Sequence, residues 1–262
     1  MARQFKNNSK TNYLGIRNSD GLLYTRLTEE EYNKEVEKGN TFLKIAQKDS
    51  KSPKYYHNTF PAGTETGLVS YLGINEVVIN DKKMRFLVIT IRGEEENDSI
   101  SVPLRQAGST ALSSISKEII RYLPSIDYTK PLFINSNASK NEKGKTRISV
   151  FFAQEVDGKK TYLKAALKAK SETNPDGTLP PPVQKEVNGE MVWDWSEQDN
   201  ILYETLTNEI ARFEKVKKER GDGQDSVEEQ NIISKSVQNV SKTVNKTKNV
   251  PVQEEDEDDL PF

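Results

Sequence analysis

Aromatic and cationic side chains alternate at several points along this chain, in a pattern that suits contact with unpaired nucleotides. Flat rings can stack on bases, at about 1–3 kcal/mol per base, while Lys and Arg side chains can follow backbone phosphates. On predicted strands and loops, the candidates for these contacts are Lys54, Tyr55, Tyr56, Tyr71, Arg85, Arg92, Arg147, Phe151, Tyr162 and Lys164. Because alternate residues of a strand face the core, we expect some of these rings to be buried, including one of the adjacent pair Phe151 and Phe152.

Patterns that indicate catalysis are weaker. Gly144-Lys145-Thr146 matches the end of a phosphate-binding loop, but the glycine that this motif needs upstream is Ser139. His57 is the only histidine, and the chain has neither a Cys nucleophile nor a G-x-S-x-G serine turn. Glu155, Asp157 and Lys159 have the spacing of some metal-dependent nucleases, but Asp157-Gly158 is needed as a hairpin turn. The sequence therefore predicts a binding protein, not an enzyme, with no catalytic residue, metal or cofactor.

The distribution of charge is more informative than the net charge of −2. Residues 254–262 hold six acids and no base, so residues 1–253 carry +4; four acids balance four lysines in 221–253, which leaves the whole +4 on residues 1–220. This modest excess is compatible with a local basic groove on a mixed surface. The absence of Cys favours a reducing compartment, the cytoplasm. No apolar run is long enough to span a membrane, and the first residues do not form a secretory signal.

The last forty residues differ in composition from the rest of the chain. Residues 221–261 contain no aromatic residue and are dominated by Ser, Asn, Gln, Lys, Glu and Asp. Such a segment cannot bury enough apolar surface to offset the entropy lost on ordering. We therefore predict a folded domain over 1–220, a disordered linker over 221–253 and an acidic tip over 254–262.

The tip ends in Asp258-Asp259-Leu260-Pro261-Phe262 after four further acids. This ending resembles the C-terminal tail of single-stranded DNA-binding proteins from bacteria and bacteriophages, in which acids precede an aliphatic residue, Pro and Phe. Here Leu stands where Ile is often found, and the resemblance covers about nine of 262 residues.

The resemblance implies a bacteriophage-encoded protein that acts in DNA replication, recombination and repair. It also implies that the tip recruits replication or recombination proteins, such as a polymerase, a primase or helicase, or a nuclease. In this chain the recruiting residues would be Asp256, Asp258, Asp259, Leu260, Pro261 and Phe262. Phe262 and its free carboxylate would enter a partner's pocket with a basic rim, and the acids would steer the encounter.

The predicted elements must place the candidate residues on one surface. A hairpin over 13–27 is followed by a capping box at Thr28 that begins a short helix ending at Gly39. After a turn-rich segment over 40–65, the predicted strands are 67–80, 84–92, 100–104, 131–134, 146–155 and 161–168. Ser109 is predicted to cap a helix that stops at Pro124, and Ser196 a helix that ends at Gly221. The spacing of Leu202, Leu206, Ile210 and Phe213 predicts an apolar face on this last helix.

Three strands, a helix and further strands follow one another in the order of the five-stranded oligonucleotide- and oligosaccharide-binding (OB) barrel. We therefore predict a mainly β fold with helices (α+β), namely an OB-fold-like β-barrel with an added N-terminal hairpin and C-terminal helix, followed by the disordered acidic tail. A general α+β domain is the alternative.

Together these features predict sequence-independent binding and protection of single-stranded DNA. Six contiguous carboxylates resemble a short phosphate backbone, so we expect the tip to compete with DNA for the groove until DNA releases it. Oligo-dT is then expected to quench Trp193 or Trp195. The alternatives are a replisome adaptor that docks through the tail without touching DNA and a metal-dependent nuclease. A homo-oligomer is compatible with the sequence, which assigns no role to residues 174–195.

Overall fold

A computed structural model of the chain describes residues 10–46, 55–79, 82–94, 96–106, 109–141, 144–171 and 174–222. The strands are β1 (Thr11–Ile16), β2 (Leu23–Leu27), β3 (Leu43–Ala46), β4 (Tyr55–Phe60), β5 (Leu68–Ile79), β6 (Lys82–Arg92), β7 (Asn97–Pro103), β8 (Leu132–Lys140), β9 (Thr146–Val156), β10 (Lys159–Tyr162), β11 (Val183–Val187) and β12 (Glu190–Asp194). The helices are α1 (Glu29–Glu37), α2 (Ser114–Ile120) and α3 (Ser196–Glu219), with a short 3-10 turn at Leu123–Ser125.

The strands form three sheets. The largest has seven strands in the order β3-β4-β2-β1-β7-β6-β5, the second has the order β10-β9-β8, and β11 pairs with β12. All neighbours are antiparallel except β1 and β7, which are parallel. A bridge between Gly67 and Leu132 joins the start of β5 to β8. The predicted mainly β, α+β class is confirmed, and among the described residues the strands make three sheets instead of one closed barrel.

Local sequence explains the hairpins and the starts of α1 and α2, whereas the predicted Ser196 cap is wrong, because α3 begins at Ser196 itself, after Trp195 and without a side-chain cap. Asp157 and Gly158 both have positive φ, 52° and 72°, as the two-residue turn between β9 and β10 requires, and Asn188-Gly189 repeats this between β11 and β12. Thr28 and Glu31 form the predicted capping box before α1. Ser113, not the predicted Ser109, caps α2, because its hydroxyl accepts from the backbone N–H of Ser116.

The core lies between one face of the large sheet, one face of the β8–β9 pair, and helices α2 and α3. Its fully buried members come from all of these elements: Leu23, Leu87, Ile91, Leu132, Phe152, Ile120, Leu202, Leu206 and Phe213. The last three confirm the predicted apolar face of the final helix. Because β8 and β9 bury one face in this core, alternation along them directs the remaining side chains outward.

A smaller apolar cluster lies on the opposite face of the large sheet. It contains Tyr71, Ile79, Phe86 and Val88, all buried. The Tyr71 ring lies along β5 over Gly73, where an added Cβ would come within 2.5 Å of the Tyr71 hydroxyl. No helix among the described residues has the length and apolar character needed to cross a membrane. The acidic tip and the predicted linker, apart from Gly221 and Asp222, lie outside the described residues.

Candidate nucleic-acid interface

The outward side of the β8–β9–β10 sheet gathers aromatic and cationic side chains. Ile134, Val150 and Phe152 point into the core, so their neighbours along each strand point away from it. The paired register places on this outer face Phe133, Asn135, Asn137 and Ser139 of β8, Arg147, Ser149, Phe151, Ala153 and Glu155 of β9, and Lys160 and Tyr162 of β10. We call this set the outer face.

Three rings form one end of the outer face. Tyr162 and Phe133 both stand next to Ala153, one on each side, so their Cα atoms are about 10 Å apart. Phe151 is two residues away on the same strand as Ala153 and the same face. Tyr162 is 60% exposed, Phe151 is partly buried and Phe133 is buried. Tyr162 and Phe151 are therefore the rings that a ligand can reach first.

Phe133 is covered by two neighbours. The ammonium of Lys160 lies over its ring, 2.8 Å from the centroid. The loop after β4 packs against the ring, since a Cβ added to Gly63 would lie 2.7 Å from the ring Cζ. Thr64 in this loop fixes β8 by donating from its N–H to the carbonyl of Ile134 and accepting the N–H of Ile134 at its hydroxyl. Partial burial lowers the pKa of Lys160.

Cations are concentrated in the segment that contains β9, β10 and the loops beside them. The segment 140–170 has nine Lys or Arg and three Asp or Glu, a net charge of +6, which exceeds the +4 of residues 1–220. Arg147 and Lys145 are exposed, and no carboxylate among the described residues forms an ion pair with either side chain. Their charges are therefore available to an anionic ligand.

A cleft of about 510 Å³ continues from Arg147 around the tip of the β8–β9 hairpin. Its basic wall comprises Lys117, Arg121, Lys145 and Arg147, and its apolar lining Ile148, Leu179 and Leu202. Lys117 is paired with Asp199 at 2.7 Å and Arg121 with Glu118 at 3.2 Å, so the positive charge without a partner comes from the hairpin.

Three of the residues predicted from the sequence lie together on this surface. Arg147, Phe151 and Tyr162 share the outer face, and the adjacent Phe152 points inward as expected. Lys164 is exposed just beyond the end of β10, and its carbonyl accepts a hydrogen bond from Ser125.

The other sequence candidates do not join this group. Tyr56 is buried next to α1, with its ring 4.7 Å from that of Tyr32. Tyr71 is buried in the second cluster, where its hydroxyl donates to Asn75. Arg85 is exposed on β6 and bonded to Glu76, and Arg92 is half-buried at the end of that strand.

Two predicted contacts cannot be placed on any surface. Tyr55 is the first residue of β4, and Lys54 lies outside the described residues. Sequence reasoning also missed Phe133, Lys145 and Lys160. The Asp157-Gly158 turn was a usable signal, because it fixes the β9–β10 register and so places Lys160 and Tyr162 on the same side as Phe151.

The single histidine has a structural environment. His57 is 4% exposed, stacks on Tyr24 at 4.5 Å between ring centroids, and has its Nδ1 3.2 Å from the guanidinium of Arg17. Burial, with added repulsion from Arg17 and Arg26, lowers the pKa of His57 to about 4. The imidazole is therefore neutral at pH 7. Its Nδ1 accepts from Arg17, which leaves the proton on Nε2.

Glu155 and Asp157, the acids of the nuclease alternative, stand at the end of β9 and in the turn that follows it. Within the described residues, no three His, Asp or Glu side chains converge in the way a metal ion requires. No family model, curated protein or solved structure matches this chain.

Proposed function

We propose that this chain binds single-stranded DNA along the outer face and covers unpaired strands during DNA replication, recombination and repair. The observation that carries the proposal is the combination, on adjoining surfaces, of the accessible rings Tyr162 and Phe151 with Lys145 and Arg147, which form no ion pair with another described residue. Rings supply stacking for bases and cations attract phosphates, which is the mixture that single-strand binding uses.

The path of the strand follows from the arrangement of the outer face. Phe151 and Arg147 are four residues apart on β9, about 13 Å along the strand. DNA lying along β9 would stack bases on the ring end and place phosphates against Arg147 and Lys145. Neither stacking nor phosphate contact reads base edges, so binding is largely independent of sequence.

The order of the elements supports an OB-like body for this function. The antiparallel set β5-β6-β7 is followed by α2 and then by the β8–β9 hairpin, and the Gly67–Leu132 bridge connects the first strand of the set to the first strand of the hairpin. This is the strand–helix–hairpin order of the five-stranded OB barrel. The N-terminal strand β1 lies parallel to β7, as an addition to that plan.

The tail would add recruitment to binding. The tip Asp258-Asp259-Leu260-Pro261-Phe262 resembles the partner-binding ending of single-stranded DNA-binding proteins. We propose that its acids compete weakly with DNA for the cations of the outer face, and that DNA frees the tip for replication proteins. The chain would act in the cytoplasm of its host, without a cofactor and without a chemical step.

Fluorescence anisotropy with labelled oligo-dT tests the proposal. We expect the wild-type chain to bind oligo-dT much more tightly than a duplex of equal length, and Phe151→Ala/Tyr162→Ala to weaken binding by at least about tenfold, from stacking of about 1–3 kcal/mol per base. The control is Phe42→Ala/Val78→Ala, because both of these side chains are exposed and lie outside the outer face. No binding at low salt would favour the adaptor, and cleavage of the oligonucleotide with magnesium would favour the nuclease.

A further inference from the structure

The β11–β12 hairpin is exposed to an unusual degree for a pair of strands. All five residues of β11 and four of the five residues of β12 are exposed. The exposed side chains include large apolar ones, Met191 at 61%, Trp193 at 58% and Val192 at 40%. An isolated two-stranded hairpin is at best marginally stable in water, and usually needs a third strand or a packed face.

Both edges of the hairpin are open within the part of the chain that the structure describes, because β11 and β12 pair only with each other there. The two edges differ in chemistry. The centre of β11 is Lys185, and a second copy paired there around Lys185 would place two ammonium groups opposite each other, which disfavours pairing. The centre of β12 is Val192, which gives that edge no such protection.

We propose that β12 pairs antiparallel with β12 of a second copy of this chain, across a two-fold axis at Val192. In this register Val192 faces its own symmetry mate, and Met191 of each copy faces Trp193 of the other. A thioether next to an indole is a favourable contact, and it would occur twice. The product is a four-stranded sheet in the order β11-β12-β12-β11, with both Met–Trp pairs on one side.

The acidic residues at the two ends of this pairing have a cation nearby. Glu190 would face Asp194 of the second copy, two carboxylates in opposition. Asp194, however, is already bonded to Lys185 of its own hairpin and to Ser196. The ammonium of Lys185 therefore lies close to both carboxylates. A heterologous partner would have no reason to match Val192, Met191 and Trp193 in mirrored order, whereas a second copy does so by symmetry.

The surroundings of Trp193 also differ from the outer face in charge. The cleft beside Trp193 and Trp195, about 500 Å³, contains Asp194, Asp199 and Glu204 against the single cation Arg105. Asp199 is paired with Lys117 and Asp194 with Lys185, so this cleft has no excess of cations to attract a phosphate backbone. The dimer surface and the outer face are thus separate: the first has few net charges and an apolar edge, the second an excess of cations.

Cysteine crosslinking tests the register directly, because the natural chain has no Cys. In Val192→Cys the two thiols would lie on the axis, with Cβ atoms about 5 Å apart. In the control Val187→Cys, of similar exposure, they would be more than about 14 Å apart, on the two outer strands. A short bis-maleimide should convert Val192→Cys to a covalent dimer and leave Val187→Cys monomeric on a denaturing gel. Equal crosslinking of the two variants would overturn the register.

Sedimentation of the full chain at tens of micromolar gives the second measurement. We expect a dimer for the wild-type chain, a monomer for Met191→Lys, and a dimer for the control Gln184→Lys, which adds the same charge on the same side of the hairpin but on β11. Met191→Lys should keep its affinity for a short oligo-dT, so loss of the dimer and loss of DNA binding are separate results. A monomeric wild-type chain, or a dimeric Met191→Lys, would overturn the proposal.

Discussion

Arg147 is the cation of the outer face whose removal gives the sharpest test, because its guanidinium is exposed and has no ion-pair partner among the described residues. Each phosphate that a cation neutralises on a single strand contributes about −0.7 to the slope of log K against log salt concentration. Contacts from Lys145, Arg147, Lys160 and Lys164 would together give a slope of about −3.

Arg147→Ala should therefore change that slope to about −2, and should weaken binding about fivefold at about 0.1 M salt. The difference from wild type should shrink as salt rises, since the lost term is counterion release. Anisotropy of labelled oligo-dT at several salt concentrations measures both quantities. Circular dichroism and urea unfolding should show an unchanged fold, because the side chain lies outside the core.

Arg85→Ala is the matched control. Arg85 was an equal candidate in the sequence and its side chain is 50% exposed, but it is bonded to Glu76 and lies on the large sheet. Its removal should leave both affinity and slope within error of the wild type. If Arg85→Ala weakens binding as much as Arg147→Ala, or if the slope of Arg147→Ala is unchanged, the placement of DNA on the outer face is wrong.

Three further predictions concern other parts of the molecule. Tyr162→Ala should weaken oligo-dT binding by about 1–3 kcal/mol, with the salt slope unchanged, while Phe42→Ala, another exposed ring, should have no effect in the same assay. Burial lowers the pKa of His57 in the folded chain to about 4, below its value of about 6.5 in the unfolded chain. The free energy of unfolding therefore does not change with this group above pH 6.5, and it decreases as the pH falls from 6.5 towards 4. Urea unfolding should show up to about 3 kcal/mol of this loss in the wild type but not in His57→Gln; equal pH dependence in both chains would contradict the assignment. Deletion of residues 254–262 should keep or raise DNA affinity and abolish binding of replication proteins, measured by anisotropy and pull-down; loss of both would refute competition by the tail.

Elements with strong local signals could be predicted from the sequence. The N-terminal hairpin, the capping box at Thr28, the β5–β6 pair and the apolar face of α3 all form as expected, because turn residues and periodicity fix them over short distances. Strands β3 and β4 were missed in the turn-rich segment 40–65, since β4 pairs with the distant strand β2 and β3 forms by pairing with β4.

The β11–β12 hairpin was missed although its signal was present. Asn188-Gly189 is the preferred dipeptide for a two-residue hairpin turn, and both residues have the required positive φ, 53° and 84°. The prolines at 180–182, which precede β11, favour a loop in that segment. This hairpin also places Trp193 and Trp195 beside a cleft separate from the outer face, so quenching by oligo-dT is no longer a required sign of binding.

The candidate interface could be predicted only in part. Arg147, Phe151 and Tyr162 were found because their types suit the contact, but the same reasoning selected Tyr56 and Tyr71, which are buried. The type of a residue does not show whether its side chain is exposed or buried, because an aromatic side chain packs equally well in a core. The deciding information is register, which sets the face of each strand and is fixed by pairing across the sheet.

Photo-crosslinking of a strand that carries 4-thiothymidine, followed by mass spectrometry of the peptides, tests the DNA-binding surface most directly. Crosslinks should map to β9 and β10, with Phe151 and Tyr162 as the main attachment points, and should disappear when unlabelled oligo-dT is added in excess. Crosslinks that map instead to β5 and β6, or to the β11–β12 hairpin, would contradict the proposed interface.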